Sequence, residues 1–438
     1  MAQIKPFRGY RFTISSPQDL GPLCAPPYDM LDDAAVDRLY AMHPNNIVRI
    51  TQNKREPADT VNKDRHVRAA GFLSRWIDQK IIARDDADSI YIYRQQFKII
   101  QNGKPVEYER TGVCALVELT DFEEQVVLPH EYTLSGPKQD RYELMETTLA
   151  NTGQIFGLAA DDGGELYTLI RQITGDTPMI GTFTDENGVT HSLHRCADAG
   201  MIAKAAELMS SRNILIADGH HRYETALRFY KDRGRDEKFS HVMMTLVSTA
   251  DPGLVIRPFH RLVRKSTQGR QAGDMKSELA KYFDVSPIGK ATAQRTGDAL
   301  GGTTDIIFWD CKTGELYTLT LNKNGEDFLE NTMPERSKQW KRLDVSKINC
   351  IIINGILELP LDGQVLHDIV NYVNDADDGA KRLTEERDGY YGGFFINPVT
   401  ITTINDTVKS GERMPQKSTN FFPKVWAGLA INKMDVLT

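Results

Sequence analysis

Cysteine is scarce in this chain, and what there is forms no pattern. The five thiols, Cys24, Cys114, Cys196, Cys311 and Cys350, are odd in number and far apart. No two stand at metal-ligand spacing, which argues against a disulfide framework or a zinc ribbon and suits a reducing compartment. Long apolar runs are missing too: no stretch approaches the roughly 18 residues that a membrane helix needs. Residues 1–10 carry charge and proline rather than an apolar core, so no secretory leader is expected. Nor is there a basic excess. The net charge is −7, whereas proteins that live on nucleic-acid phosphates are more often basic, so DNA is not the expected main partner. Catalytic signatures are equally thin: there is no H-E-x-x-H, no C-x-x-C, no G-x-S-x-G elbow and no P-loop. A cytoplasmic protein that acts on a small molecule, without a membrane partner, is the expectation; whether it works as a homodimer is left open.

What is present is the composition of a globular chain: 438 residues, 40% hydrophobic and 26% charged. That length exceeds one ordinary core and predicts two or three subdomains. An α/β core with mixed sheets is expected over 1–265, an inserted α+β subdomain over 266–343, and a C-terminal segment, 344–438, packing back on the core. Asp32 or Asp33 should cap a helix through Val36, Leu39 and Tyr40. His43-Pro44-Asn45-Asn46 breaks it, and Ile47 to Ile50 reads as a strand. A helix over about Lys63 to Ile77 would use Val67, Ala70, Phe72, Leu73 and Trp76 as its apolar side. Ser89 to Ile100 alternates as a strand, with Gln101-Asn102-Gly103-Lys104 as a hairpin turn. Pro137 suits the first position of another helix. Later come a hairpin turn at Asn187-Gly188, a turn at Asp251-Pro252-Gly253, a helix from Val345 to Leu357 and an acidic loop from Asp375 to Asp378.

One stretch concentrates chemistry. Ile214 to Ala217 reads as a short buried strand, and Tyr223, Ala226, Leu227 and Tyr230 recur at helical spacing, with Gly234 as a stop. Between them lie Asp218, Gly219, His220, His221 and Arg222. Such a strand-to-helix turn presents backbone N–H groups to an anion, and Gly219 lets the chain turn tightly and a ligand approach. The alternative is a capped helix start, with Asp218 as N-cap and a satisfied histidine pair. Three further clusters join charges to turns: Asn46 with Arg49; His130 and Glu131, followed by Lys138, Asp140 and Arg141; and Lys417-Ser418-Thr419 between Pro415 and Pro423. Cations beside hydroxyls suit a phosphate, and a Glu beside a His offers a general base. Each cluster alone also reads as a solvated salt bridge. Magnesium, which needs only one or two carboxylates plus substrate phosphates, could be held by Asp218.

The ordered motifs Ile4-Lys5-Pro6-Phe7-Arg8-Gly9, Ala25-Pro26-Pro27-Tyr28-Asp29, His43-Pro44-Asn45-Asn46, Ala217-Asp218-Gly219-His220-His221-Arg222 and Met414-Pro415-Gln416-Lys417-Ser418-Thr419 span nearly the whole chain. Together they resemble a large uncharacterised bacterial and archaeal family often labelled SpoOJ/ParA/ParB/RepB-like. The Asp-Gly-His-His-Arg core resembles the nucleotide-handling turn of the ParB/sulfiredoxin superfamily, which implies a ParB/sulfiredoxin-like core. Sulfiredoxins place a reactive cysteine in this turn, where the chain has His220. Partition proteins add a helix-turn-helix and a basic surface, neither of which is found. The resemblance to free-serine kinases, with their Asp-Gly-x-His-Arg turn, implies a phosphotransferase making O-phosphoserine from L-serine, with pyrophosphate, ATP or ADP as donor. The rival reading is a nucleotide-dependent DNA-partition or regulatory protein. In the kinase reading Gly219, His220, His221 and the helix start cradle the donor phosphate, and Arg222 pairs its oxygens. Asp218 orients the histidines or holds magnesium, and Glu131 takes the hydroxyl proton, with Asp29 as its rival. Arg49, Lys138, Arg141 and Lys417 are further phosphate contacts, and Tyr28, Asn46, His130 and Ser418 complete the candidate binding set.

Overall fold

The strand Lys104–Glu118 buries eight consecutive residues, Arg110 to Val117. A strand covered on both faces needs no polar alternation, and its run of Val113, Cys114, Ala115, Leu116 and Val117 fits that place. The computed structural model that contains it describes residues 1–61, 63–101, 104–132, 135–361 and 364–435. The chain forms two compact units, one comprising 1–129, 133–255 and 423–438, the other 130–132 and 256–422.

The first unit is built on a nine-stranded mixed sheet. Its order is Val127–Pro129, Ile214–Asp218, Ile155–Ala159, His241–Ser248, Lys104–Glu118, Ile90–Gln101, Thr190–Cys196 and Met179–Thr184, with Ile4–Lys5 also paired to Lys104–Glu118. Ile214–Asp218 runs parallel to Val127–Pro129 and antiparallel to Ile155–Ala159. The core beneath it joins Ile155, Ile214, Ile216, Met244 and Leu246 to Leu166, Ile170, Tyr223 and Phe229 from the covering helices. The second unit has a six-stranded antiparallel sheet, ordered Phe283–Lys290, Glu315–Leu321, Ile306–Asp310, Tyr390–Phe395, His260–Arg264 and Val370–Val373. Leu262, Ile307, Leu316, Leu383 and Phe395 form its core. The protein is thus a mixed α/β chain, as its alternation of patterns suggested.

Many local expectations match. The helix Asp33–Met42 is capped by Asp32, whose carboxylate accepts from the Ala35 N–H at 2.7 Å. Gly188 takes a left-handed φ of +74° at the tip of the Met179–Thr184/Thr190–Cys196 hairpin. Asn102 and Gly103 lie outside the described residues.

Several expectations need correction. Ile47 to Ile50 is not a strand: Val48–Thr51 is a single helical turn. Asn46 explains it, because its side-chain oxygen accepts from the Val48 N–H while its amide donates to the carbonyls of Pro22 and Cys24. That local hydrogen bonding outweighs the β propensity of Ile and Val. In the helix Lys63–Asp78 the buried positions are His66, Ala69, Leu73 and Trp76, whereas Val67 is 56% exposed. The next helix begins at Ser135, two residues before Pro137. Asp375 to Asp378 is a helix start rather than a loop, since Asp375 accepts from the N–H groups of Asp377 and Asp378 and caps Ala376–Glu385. The helix through Val345 widens into a π-helix over Ile348–Ile356. The two compact units divide at 255/256 and 422/423. His260–Arg264 pairs with Tyr390–Phe395, so residues on both sides of the expected insertion build one sheet.

Candidate functional site

In the first unit, Ile214–Asp218 ends where the helix His220–Asp232 begins. The pairing of this strand with Ile155–Ala159 slips between Ile216 and Asp218, so that Asp218 stands opposite Phe156. Such an irregularity re-aims the side chain that follows it. Asp218 is not the N-cap. That position belongs to Gly219, at φ +91°, and no side chain caps the helix there. A Cβ at 219 would lie 2.9 Å from Arg222 Nε and Nη2, so a side chain there would meet a strained backbone angle and a guanidinium that has to shift.

The carboxylate of Asp218 is held between two cations. Lys424 Nζ donates to Oδ1 at 2.5 Å and Arg222 Nη2 to Oδ2 at 2.6 Å. Burial alone would raise its pKa, but Lys424 and Arg222 overcome that and hold it well below the usual carboxylate range. Arg222 is itself braced, its Nη1 donating to the Gln154 carbonyl. Burial lowers the pKa of His221; Glu224 and Asp29 oppose that shift, while Lys138 and Arg222 add to it. The imidazole is therefore biased toward its neutral form.

A cleft passes this helix start, lined by Tyr28, Thr51, Arg141, Gly153, Arg222 and Thr225 among others. Arg141 lies 4.0 Å from the centre of the Tyr28 ring and donates to the Thr51 carbonyl at 2.7 Å and to Asp140. Burial raises the Tyr28 phenol; Arg141 and Arg222 oppose the shift, and Asp29 and Asp218 reinforce it. Lys138 pairs with Glu224. Each cation here already has a carboxylate partner, so the cluster is fixed in place more than it is strongly positive. An incoming anion would meet a helix start and guanidinium groups that need not reorganise.

The structure thus brings together Tyr28, Asp29, Lys138, Arg141 and the run from Asp218 to Arg222. Arg49 and Asn46 belong to the same unit but are absorbed in packing. The Arg49 guanidinium lies 4.2 Å from the Tyr40 ring centre and donates to the Tyr40 carbonyl, and Asn46 is fully buried with the three bonds already described. The remaining candidates lie in the second unit and form a cluster of their own. Glu131 Oε1 accepts from the N–H groups of Ser418 and Thr419 at 3.1 and 2.9 Å and from the Thr419 hydroxyl at 3.0 Å. His130, fully buried, meets that hydroxyl at 2.7 Å. Ser418 donates to the Pro415 carbonyl, and Lys417, at φ +57°, lies over the Phe259 ring. This geometry clamps the turn from 415 to 419.

Lys424, Glu224 and Gln154 were not singled out by the sequence reading. Glu224 sits three residues past His221, on the same helical face, and that spacing was a usable signal. Nothing local marks Lys424, whose partner lies 206 residues away. Magnesium does not fit Asp218, whose two oxygens are engaged by an ammonium and a guanidinium. Among the described residues no group of three or more His, Cys, Asp or Glu side chains could hold a metal ion.

Fold and site together define a mixed α/β protein whose central strand–turn–helix is ringed by fixed ion pairs. The chain belongs to the family described as a protein of unknown function (DUF1015), whose model matches residues 4–346. No curated protein matches it by sequence. Among solved structures it is similar to a free serine kinase variant in complex with ADP, at TM-score 0.38 and 12% identity, over 74% of this chain and 94% of that one. It is also similar to a free serine kinase variant in complex with AMP, at TM-score 0.37 and 12% identity, over 74% of this chain and 94% of that one. A third is a conserved hypothetical protein from Pyrococcus furiosus, at TM-score 0.35 and 13% identity, over 74% and 97%.

Proposed function

We propose that the chain transfers a phosphoryl group from pyrophosphate or a nucleotide to a small hydroxyl compound, free L-serine first among them. The observation that supports this reading is the start of the helix His220–Asp232, where Gly219 leaves the helix dipole without a side-chain cap beside Arg222, Lys424 and Arg141. Phosphoryl transfer asks a protein chiefly for positioning and for stabilisation of spread charge. The helix start and Arg222 would hold the donor phosphate. Asp218 would keep Arg222 and Lys424 in place rather than bind the donor itself. The serine hydroxyl oxygen then attacks phosphorus, the bond from phosphorus to the bridging oxygen breaks, and phosphate or the shortened nucleotide departs. The hydroxyl proton passes to a carboxylate. Asp29, whose charge reaches His221, is that base in this reading. Glu131, the base that the resemblance implied, belongs to the second unit, has one oxygen engaged by three donors in the 418–419 turn, and takes no part in this reading.

The test is direct. Protein incubated with L-serine and either pyrophosphate, ATP or ADP should yield O-phosphoserine by 31P NMR with at least one donor. Asp218→Asn and His221→Ala should each lower turnover by about 10²-fold or more, with circular dichroism unchanged. No phosphoserine with any donor, or full turnover in both variants, would overturn the proposal.

A further inference from the structure

Lys424 reaches Asp218 from a stretch, Pro423 to Ala427, that carries no regular strand. A lysine side chain has four rotatable bonds, so an ammonium can be held to one carboxylate oxygen only if its backbone is anchored. The anchors are side chains. Arg110 donates through Nη2 to the Pro423 carbonyl and to Gln95 Oε1. Gln95 in turn donates through Nε2 to the Lys424 carbonyl at 2.9 Å. The Trp426 N–H donates to the Tyr93 hydroxyl at 3.4 Å, and Gln154 donates to the Trp426 carbonyl at 3.1 Å. Ala427 closes the segment with a pair of backbone bonds to Ala25, at 2.9 and 3.2 Å.

Arg110 is the unusual member. It is 2% exposed, and its guanidinium lies 4.5 Å from the centre of the Phe156 ring, the residue paired with Asp218 in the sheet. Burying a guanidinium is costly, and burial lowers its pKa to about 10, which still leaves it charged at neutral pH. A methionine could fill the same volume without that cost. The bond it directs at the Pro423 carbonyl, and the one that orients Gln95 toward the Lys424 carbonyl, give the charge a purpose.

We infer that Arg110 and Gln95 are positioning residues, which hold the carbonyls of Pro423 and Lys424 so that the Lys424 ammonium meets Asp218. The link to turnover rests on the proposed function; the link between Arg110 and Lys424 does not. The first measurement therefore needs no substrate. The protected Lys424 ammonium should give a slowly exchanging 15N-correlated signal, assigned by its loss in Lys424→Met. Arg110→Met should abolish that signal, and Gln95→Met, the milder change, should weaken it. Retention at full intensity in both variants would overturn the inference. The second measurement is pyrophosphate affinity by calorimetry. Arg110→Met and Lys424→Met should each weaken binding by about tenfold, the scale of one charged hydrogen bond, and the double variant should be no weaker than either. Additive losses would also overturn it. If the native protein bound neither pyrophosphate, ATP nor ADP while the ammonium signal still depended on Arg110, the phosphotransferase reading would fail and the positioning role would stand.

Discussion

At position 219 two constraints coincide, a left-handed backbone and a guanidinium close to where a β-carbon would stand. Gly219→Ala should therefore destabilise the protein by about 1–2 kcal/mol from backbone strain alone. It should also weaken phosphate binding, because Arg222 has to shift. Urea denaturation and calorimetry read the two effects separately, and an alanine variant as stable and as tight as the native chain would show that the turn relaxes. This residue was legible in the sequence: a glycine between a buried strand and an amphipathic helix has few other uses. The role of its neighbour was not. Asp218 has the chemistry of an N-cap, and only the distant Lys424 and the Arg222 one helical turn on make it a counter-ion. Arg49 and Asn46 erred the other way, since an aromatic face and three backbone groups consume side chains that looked ready for a ligand.

Elements with strong local signals were read well. Asp33–Met42, Lys63–Asp78 and His220–Asp232 have helical periodicity, and Asp32 has the capping bond its type predicts. Asp375 offers the sharper test, because in the sequence the same chemistry reads there as an acidic loop. Its carboxylate accepts from two N–H groups of the helix Ala376–Glu385. Asp375→Ala should cost about 1 kcal/mol, measured as a lower urea midpoint with an unchanged slope; no loss would mean that helix packing alone sets the start. Val48–Thr51 and the π-helix Ile348–Ile356 were beyond pattern reading. One depends on a buried asparagine bonded to carbonyls more than 20 residues back, the other on hydrogen bonding that apolar composition does not encode.

Over the whole molecule, one half-buried and one buried histidine, His241 and His260, set an acid limit. Burial pushes His241 down to about 4, helped by Lys5, and His260 down to about 3. The unfolded chain therefore takes up these protons first, once pH falls below about 6.5. Stability is complete above that value and is lost progressively as pH falls toward the folded pKa of each. Asp140 and Asp218 have lowered pKa values, and their contributions begin to fade only as pH falls into the ordinary carboxylate range, so above about pH 5 the histidines act alone. Urea midpoints should drop between about pH 7 and pH 5. His260→Gln should flatten that drop, since an amide oxygen can still accept from the Ile396 N–H as the imidazole does; an equal slope in the variant would exclude His260. At this scale the mixed α/β class was legible from alternating patterns, whereas the pairing of distant strands was not. Strands drawn from 260–264, 306–321 and 390–395 share one sheet, and nothing local announces such pairings. The return of residues 423–438 to the first unit has a consequence for synthesis. As the nascent chain leaves the ribosome, Asp218 gains Arg222 almost at once but waits for some two hundred further residues before its ammonium partner arrives. Until then the turn at 218–222 lacks one of its two charges, and a fragment stopped at 422 should be unable to act, however well its strands have formed.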